Sequence, residues 1–136
     1  MKGQLRLAAL AALVVGIGGP AVANAQNLDP NGTWTVTPFE GCTAILAVDP
    51  TSATWKSDCA LKNGQRSTVN EVATRRDLGN GQFEFDVVAA KSSVSNYTMD
   101  SKIVLKMSGA CSATLDAIDP QEHADIFKTT RTGPGC

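Results

Sequence analysis

The feature that most constrains the fold is a pair of short alternating segments in residues 41–61, joined by a turn and carrying a cysteine near each outer end. The side chains that share one face are Cys42, Ala44, Leu46 and Val48 in the first segment and Ala53, Trp55, Ser57 and Cys59 in the second. Alternation with a period of two is typical of a β-strand with one buried face. The stretch therefore predicts a β-hairpin, and a bond between its two cysteines would close it covalently.

Short alternating segments recur along the rest of the chain, each bounded by residues that favour turns. Asn63-Gly64 and Gly79-Asn80-Gly81 are strong hairpin signals, because asparagine and glycine tolerate a positive φ. The clearest alternation places Phe83, Phe85, Val87 and Ala89 on one face. Roughly eight short strands, with a turn about every eight to twelve residues, predict an all-β fold. We expect a single antiparallel meander, closed as a barrel or packed as a sandwich.

Two segments depart from this regular pattern. Residues 65–76 contain few apolar side chains, which predicts a bulged edge strand with Glu71, Arg75 and Arg76 in solvent. Residues 120–127 follow a capping aspartate and begin with a proline and acidic residues, so they predict a short C-terminal helical turn.

The N-terminal segment has the composition of an export signal. Two basic residues precede an apolar run over residues 7–17, and a motif of small residues ends at Ala25. Glycines and a proline interrupt the apolar run, which is therefore too short for a stable membrane anchor of about 20 residues. We expect residues 1–25 to be a signal peptide and residues 26–136 to form one β domain, secreted to the cell envelope or the extracellular space.

The charge of the secreted part narrows the classes of partner. Removing 25 of the 136 residues takes two of the 12 basic residues, so ten basic residues face 13 acidic ones in the 111 that remain, a net charge of −3. A chain that binds nucleic acid needs a clustered basic surface. Interspersed charges with a mild acidic excess therefore argue against nucleic acid as a partner.

All four cysteines follow the signal segment, so an exported chain carries them into an oxidising compartment where disulfides form. Four cysteines allow three connectivities, which the sequence does not separate. We favour Cys42 with Cys59 and Cys111 with Cys136, because each pair joins neighbours in the chain. A zinc site is disfavoured, because the sequence has no C-x-x-C pair and a single histidine.

The titratable residues form no catalytic constellation in the sequence. The single histidine, His123, lies among acidic residues near the C-terminus, and the sequence places no serine beside it. Glu84 and Asp86 share a strand face, but that face is the polar side of a half-buried strand, so solvation explains them. We expect no enzymatic activity, no cofactor and no metal site.

Aromatic residues are the remaining candidates for a binding site. Five of them would either line the mouth of a barrel or fill its interior: Trp34, Trp55, Phe83, Phe85 and Tyr97, the last at the start of a predicted strand. In a domain of this size such residues more often fill the core. We therefore favour core packing over a pocket for a small apolar ligand.

Residues 32–38 read G-T-W-T-V-T-P and are followed by Gly41-Cys42 and later by Trp55. This segment resembles the opening strand of small secreted proteins of mycobacteria and related actinobacteria, which reads G-T-W-T-x-T-P. The resemblance implies an exported β-rich domain whose biochemical role is not established.

A second resemblance is to the lipocalin-like bacterial inhibitors of metalloproteases, on the order Gly32, Trp34, Cys42, Trp55 and Cys59. Those inhibitors are small barrels that insert a free N-terminal arm into the protease. The resemblance implies such a role for residues 26–31.

Together these observations lead us to expect a secreted, non-enzymatic binding or interaction domain, a monomer whose partner is a protein or a cell-envelope component. Two alternatives stay open: a barrel that binds a small apolar ligand, and a protease inhibitor that acts through its N-terminal arm. A filled interior would argue against the first alternative, and a cavity beneath Trp55 and Phe85 would favour it.

Overall fold

The computed structural model describes residues 28–132 and residue 136, so the predicted signal peptide, residues 1–25, lies outside the described range. The described chain forms eight antiparallel strands, each paired with the next in sequence. They are β1 Gly32–Phe39, β2 Cys42–Val48, β3 Ser52–Ala60, β4 Arg66–Gly79, β5 Gln82–Ser92, β6 Lys102–Met107, β7 Ser112–Ile118 and β8 Ala124–Thr132. Because β1 also pairs with β8, the sheet closes into a barrel. The predicted all-β meander is confirmed, with the barrel as its architecture.

The hairpin formed by β2 and β3 alternates as its sequence predicts. Every second residue of β2 is buried and the residues between them are exposed. Cys42 lies directly opposite Cys59 in the register, and a disulfide joins the two. A second disulfide joins Cys111, just before β7, to Cys136. The structure thus contains both favoured pairings.

Large apolar side chains from most strands fill the middle of the barrel. The largest fully buried apolar side chains are Trp34, Phe85, Leu46, Ile103, Leu105 and Leu115. Burying a side chain of this size stabilises a fold by about 1.5–3 kcal/mol. Alternating inward positions on neighbouring strands therefore supply one continuous core.

The end of the barrel at which β1 begins is closed by the segment that precedes it. The indole nitrogen of Trp34 donates a hydrogen bond of 2.8 Å to the carbonyl oxygen of Pro30, which is itself buried. The guanidinium of Arg75 donates to the side-chain oxygen of Asn31 at 2.8 Å and lies 5.1 Å from the ring centroid of Phe83. The chain entering β1 is therefore tied to this end.

β4 is not an edge strand, because it pairs with β3 on one side and with β5 on the other. Glu71 is fully buried and the side chain of Arg75 is only 11% exposed, whereas that of Arg76 is 63% exposed. The prediction of solvent exposure is thus wrong for Glu71 and Arg75. Alternation that includes Val69 and Ala73 places the odd-numbered residues of β4 from 67 to 75 on the side that faces the barrel interior.

A bulge in β5 interrupts its pairing with β4, whereas the sequence predicts the bulge in residues 65–76, on the side of β4. Val72 pairs with Ala89 and Ala73 with Val87, so Val88 has no opposite residue and is 60% exposed. An extra residue in one strand reverses the side on which later side chains point. The predicted common face of β5 therefore ends at Val87, which packs against the core, and Ala89 is exposed.

The predicted C-terminal helical turn over residues 120–127 is not formed. The carboxylate of Asp119 does accept hydrogen bonds of 2.9 Å from the backbone N–H groups of Gln121 and His123, as a cap would. The chain then enters β8, which pairs with both β7 and β1. Closing the barrel through β8 outweighs the local helical signal, and tertiary context commonly overrides such propensities.

Candidate functional site

The open end of the barrel contains a cavity of about 460 Å³. It lies where β1 ends and β8 begins, at the opposite end from the closure around Trp34. Small-molecule sites in proteins usually occupy about 300–1,000 Å³ and are lined mostly by apolar and aromatic side chains. The cavity is therefore of the size that accommodates a small ligand.

One wall of the cavity consists of three aromatic rings from different strands. The ring centroid of Phe127 in β8 lies 4.6 Å from that of Phe39 at the end of β1 and 6.4 Å from that of Trp55 in β3. Cys59 lines the cavity nearby, so the Cys42–Cys59 disulfide holds this part of the rim. The wall offers a rigid apolar surface to a ligand.

A buried carboxylate lies behind the lining of the cavity, next to the aromatic wall, because Glu71 of β4 is directly opposite Trp55 of β3 in the register. Glu71 enters the interior from β4 and has no exposed surface. Its Oε2 accepts hydrogen bonds from the hydroxyl of Tyr97 and, at 3.0 Å, from the backbone N–H of Asp100. Its Oε1 has no hydrogen-bond partner among the described residues. Burying a carboxylate without a full set of partners is costly, so a group with this environment calls for a functional explanation.

Tyr97 and Asp100 both line the cavity and come from the connection between β5 and β6. The sequence predicts that a strand begins at Tyr97, but the next strand, β6, begins only at Lys102. The hydrogen bonds to Glu71 account for this difference, because they hold the connection against the barrel interior. The two lining residues thus separate Glu71 from the cavity.

The proton affinities of these groups are strongly altered. Burial raises the pKa of Asp100 to about 8, and the hydrogen bond to Glu71 and the negative charges of Glu71, Asp125 and Asp119 act in the same direction. Burial, followed by the hydrogen bond to Glu71, raises the pKa of Tyr97 well above its usual value of 10. At neutral pH both lining groups therefore hold their protons next to Glu71.

The five aromatic candidates divide between the cavity and the core. Trp55 and Tyr97 line the cavity, whereas Trp34, Phe83 and Phe85 are buried in the core away from it. The interior around Phe85 is therefore filled, which argues against an apolar ligand enclosed beneath Trp55 and Phe85. The space for a ligand is at the open mouth, above this core.

Sequence reasoning missed four important residues of the site: Phe39, Glu71, Asp100 and Phe127. The alternation of β4 contained a signal for Glu71. It lies two residues from both Val69 and Ala73, so it shares their inward face. No comparable signal existed for Asp100, whose place depends on a loop.

The other candidate groups are on the outside of the barrel. The side chain of His123 is 82% exposed, and its Nδ1 lies 3.3 Å from Oδ2 of Asp119. Glu84 and Asp86 share an outer face, but Glu84 is only 8% exposed and pairs with Arg76, so the expectation that solvation explains the pair is wrong for Glu84. The hydrogen bond from Arg76 lowers the pKa of Glu84, and burial raises the pKa of Asp86. Among the described residues no group of three or more histidine, cysteine, aspartate or glutamate side chains is arranged to hold a metal ion.

Two further observations concern where the protein works and what it is similar to. The two disulfides indicate an oxidising environment outside the cytoplasm. In the described part of the chain, no helix has the length and apolar character needed to span a membrane. Comparison of the chain with protein-family models, with curated proteins and with solved structures found no match.

Proposed function

We propose that this protein is a secreted, non-enzymatic barrel that binds a small molecule in its open mouth. The observation that carries the proposal is the cavity of about 460 Å³ with its aromatic wall. An open concave site of this size with aromatic rings in its lining is typical of a site for a small molecule. Small-ligand binding is therefore preferred here over a protein or cell-envelope partner, and the predicted export signal and the disulfides support secretion.

The construction of the mouth favours a preformed site. Phe39, Trp55 and Phe127 belong to three strands of a closed sheet, so their relative positions are fixed by backbone hydrogen bonds. The Cys42–Cys59 disulfide fixes the rim next to them. A site that is rigid before the ligand arrives loses less conformational entropy on binding, which raises affinity.

The protease-inhibitor alternative gains no support from the N-terminal segment. Pro30 is buried and Asn31 is held by the side chains of Arg75 and Arg131. This part of residues 26–31 therefore closes the barrel instead of extending as an arm. Residues 26 and 27 lie outside the described range.

A neutral fluorescent probe tests the proposal. N-phenyl-1-naphthylamine carries no charge at neutral pH and fluoresces strongly only in apolar surroundings. We expect the protein, expressed as the full chain with its disulfides formed, to bind the probe and enhance its fluorescence. Ser67 lines the cavity, whereas its neighbour Thr68 is exposed on the outside of the barrel. Ser67→Trp should therefore fill the mouth, and Thr68→Trp is the matched control.

The expected result is a large loss of probe affinity in Ser67→Trp and nearly native affinity in Thr68→Trp. A native protein that does not enhance the fluorescence would contradict the proposal. So would a Ser67→Trp variant that folds, as judged by circular dichroism, and still binds the probe as tightly as the native protein does.

A further inference from the structure

The titratable side chains that line the cavity are all acidic. Asp100, Asp119 and Asp125 line it, and none of the lining residues in the described part of the chain is a lysine, arginine or histidine. The hydrogen bond from the backbone N–H of His123 lowers the pKa of Asp119, which therefore stays ionised. A concave site lined by carboxylates attracts cations and repels anions.

The buried carboxylate adds an independent requirement. Glu71 is fully buried directly behind Tyr97 and Asp100, and its Oε1 lacks a partner. No lysine, arginine or histidine among the described residues forms an ion pair with it. The described residues thus supply no basic side chain to this buried carboxyl group, and a cation that entered the cavity would supply the missing partner.

The aromatic wall specifies what kind of cation fits. A metal ion prefers several oxygen or nitrogen ligands at fixed geometry, and the described residues offer no such set. Rings such as those of Phe39, Trp55 and Phe127 attract organic cations through their faces and cover an apolar body. The combination of acidic floor and aromatic wall therefore selects an organic ammonium compound.

We propose that the cavity binds a small amine, whose ammonium group lies at Asp100 in front of Glu71 and whose apolar body packs on Phe39, Trp55 and Phe127. This inference rests on the proposed function, because it names the class of ligand that the mouth takes. The ammonium group takes the place of the proton that Asp100 holds next to Glu71, and that proton leaves to the solvent. The bound state then holds one ion pair where the free state held a neutral carboxyl.

Proton release provides a signature that simple hydrophobic binding lacks. With a pKa of about 8, Asp100 holds a proton in about nine-tenths of the molecules at pH 7, so each amine bound should release nearly one proton. Glu71, Tyr97, Asp119 and Asp125 are the titratable groups that interact with Asp100, and all of them are acidic. Affinity for the amine should therefore rise as pH increases, by up to about tenfold per unit below pH 8.

A matched pair of probes tests the inference. 2-Phenylethylamine and 2-phenylethanol have the same size, but only the amine is cationic at neutral pH. We expect the native protein to bind the amine about tenfold to a hundredfold more tightly than the alcohol. Titration calorimetry in phosphate and in Tris, whose ionisation enthalpies differ, measures the proton released. The indole N–H signal of Trp55 in NMR should shift on binding, and that of Trp34 should not.

Two variants separate the role of Asp100 from the general charge of the protein. Asp100→Asn should abolish the preference for the amine and the proton release, yet keep the binding of 2-phenylethanol. Asp58→Asn makes the same change in charge on the outer surface, where Asp58 pairs with Arg66 at 2.8 Å, and should behave like the native protein.

Each outcome decides between the two proposals. If N-phenyl-1-naphthylamine and 2-phenylethanol bind at Trp55 but the amine binds no more tightly and releases no proton, the inference is wrong and the proposed function stands. If no probe binds, both are wrong. An Asp100→Asn variant that still prefers the amine would also overturn the inference.

Discussion

Replacing Asp100 with asparagine is expected to remove most of the fall in stability that the native protein shows as pH rises. Folding raises the pKa of Asp100 from 3.8 to about 8. Between these values the folded chain holds a proton that the unfolded chain has lost, so unfolding releases a proton. The stabilising contribution of Asp100 is therefore complete below about pH 4 and is lost as the pH rises through about 8.

The size of the effect follows from the shift and from the exposure of the side chain. A fully shielded carboxyl would lose about 1.4 kcal/mol of stability per pH unit over this range. Asp100 is partly exposed, so water screens its interactions, and we expect a total loss of about 2 kcal/mol between about pH 5 and about pH 8.5. In Asp100→Asn the amide stays neutral and can still donate to Glu71, so its stability should stay nearly constant.

Urea unfolding followed by tryptophan fluorescence measures this difference, with the disulfides intact and the ionic strength held constant. Asp125→Asn is the control, because it removes one negative charge near the mouth and leaves the pair of Glu71 and Asp100 in place. It should keep most of the native pH dependence. If the free energies of unfolding of native protein and Asp100→Asn change in parallel with pH, then Asp100 does not hold the proposed proton.

Three further predictions concern the scaffold, and urea unfolding tests each of them. Replacing both Cys42 and Cys59 with alanine should lower the free energy of unfolding by about 3 kcal/mol, because the disulfide closes a loop across a separation of 17 residues; an unchanged value would contradict this. Leu115→Ala removes a fully buried side chain and should lower the free energy of unfolding by about 3 kcal/mol. Val88→Ala, at an exposed position, should change it by no more than about 0.5 kcal/mol. Equal losses in the two variants would refute the assignment of the core. Arg75→Lys should cost about 1–2 kcal/mol, because an ammonium group cannot keep the several hydrogen bonds that the guanidinium makes at the closed end, and a neutral result would show that those bonds contribute little.

The strands could be predicted from the sequence, because the signals for a strand lie in neighbouring residues of the chain. Apolar residues alternate in β2 with a period of two, and turns such as Glu40-Gly41 and Asn80-Gly81 consist of residues at positive φ. Closure of the barrel was harder to predict, because it depends on β8. The apolar residues of β8 do not mark a buried face clearly, since Ile126 points outward and is 68% exposed. The strand is specified by its two neighbours more than by its own composition.

The candidate site was the least predictable part, for two physical reasons. Glu71 has an ionisable side chain, and such a residue in a strand with few apolar neighbours is normally exposed. Only the alternation of β4, which buries Val69 and Ala73, places Glu71 inside the barrel. Asp100 and Tyr97 belong to a connection whose position depends on their bonds to that same residue. The error at Glu71 therefore carried over to everything that contacts it.

The pairing of β1 with β8 places Thr33 opposite Thr132, so the chain enters and leaves the barrel at its closed end. The points at which the described chain enters β1 and leaves β8 are therefore at the end of the barrel opposite the aromatic rings, so an attachment made at either point starts away from the mouth. The protein can therefore be immobilised in a uniform orientation with its mouth facing the solution, which suits it to ligand screening on a sensor surface.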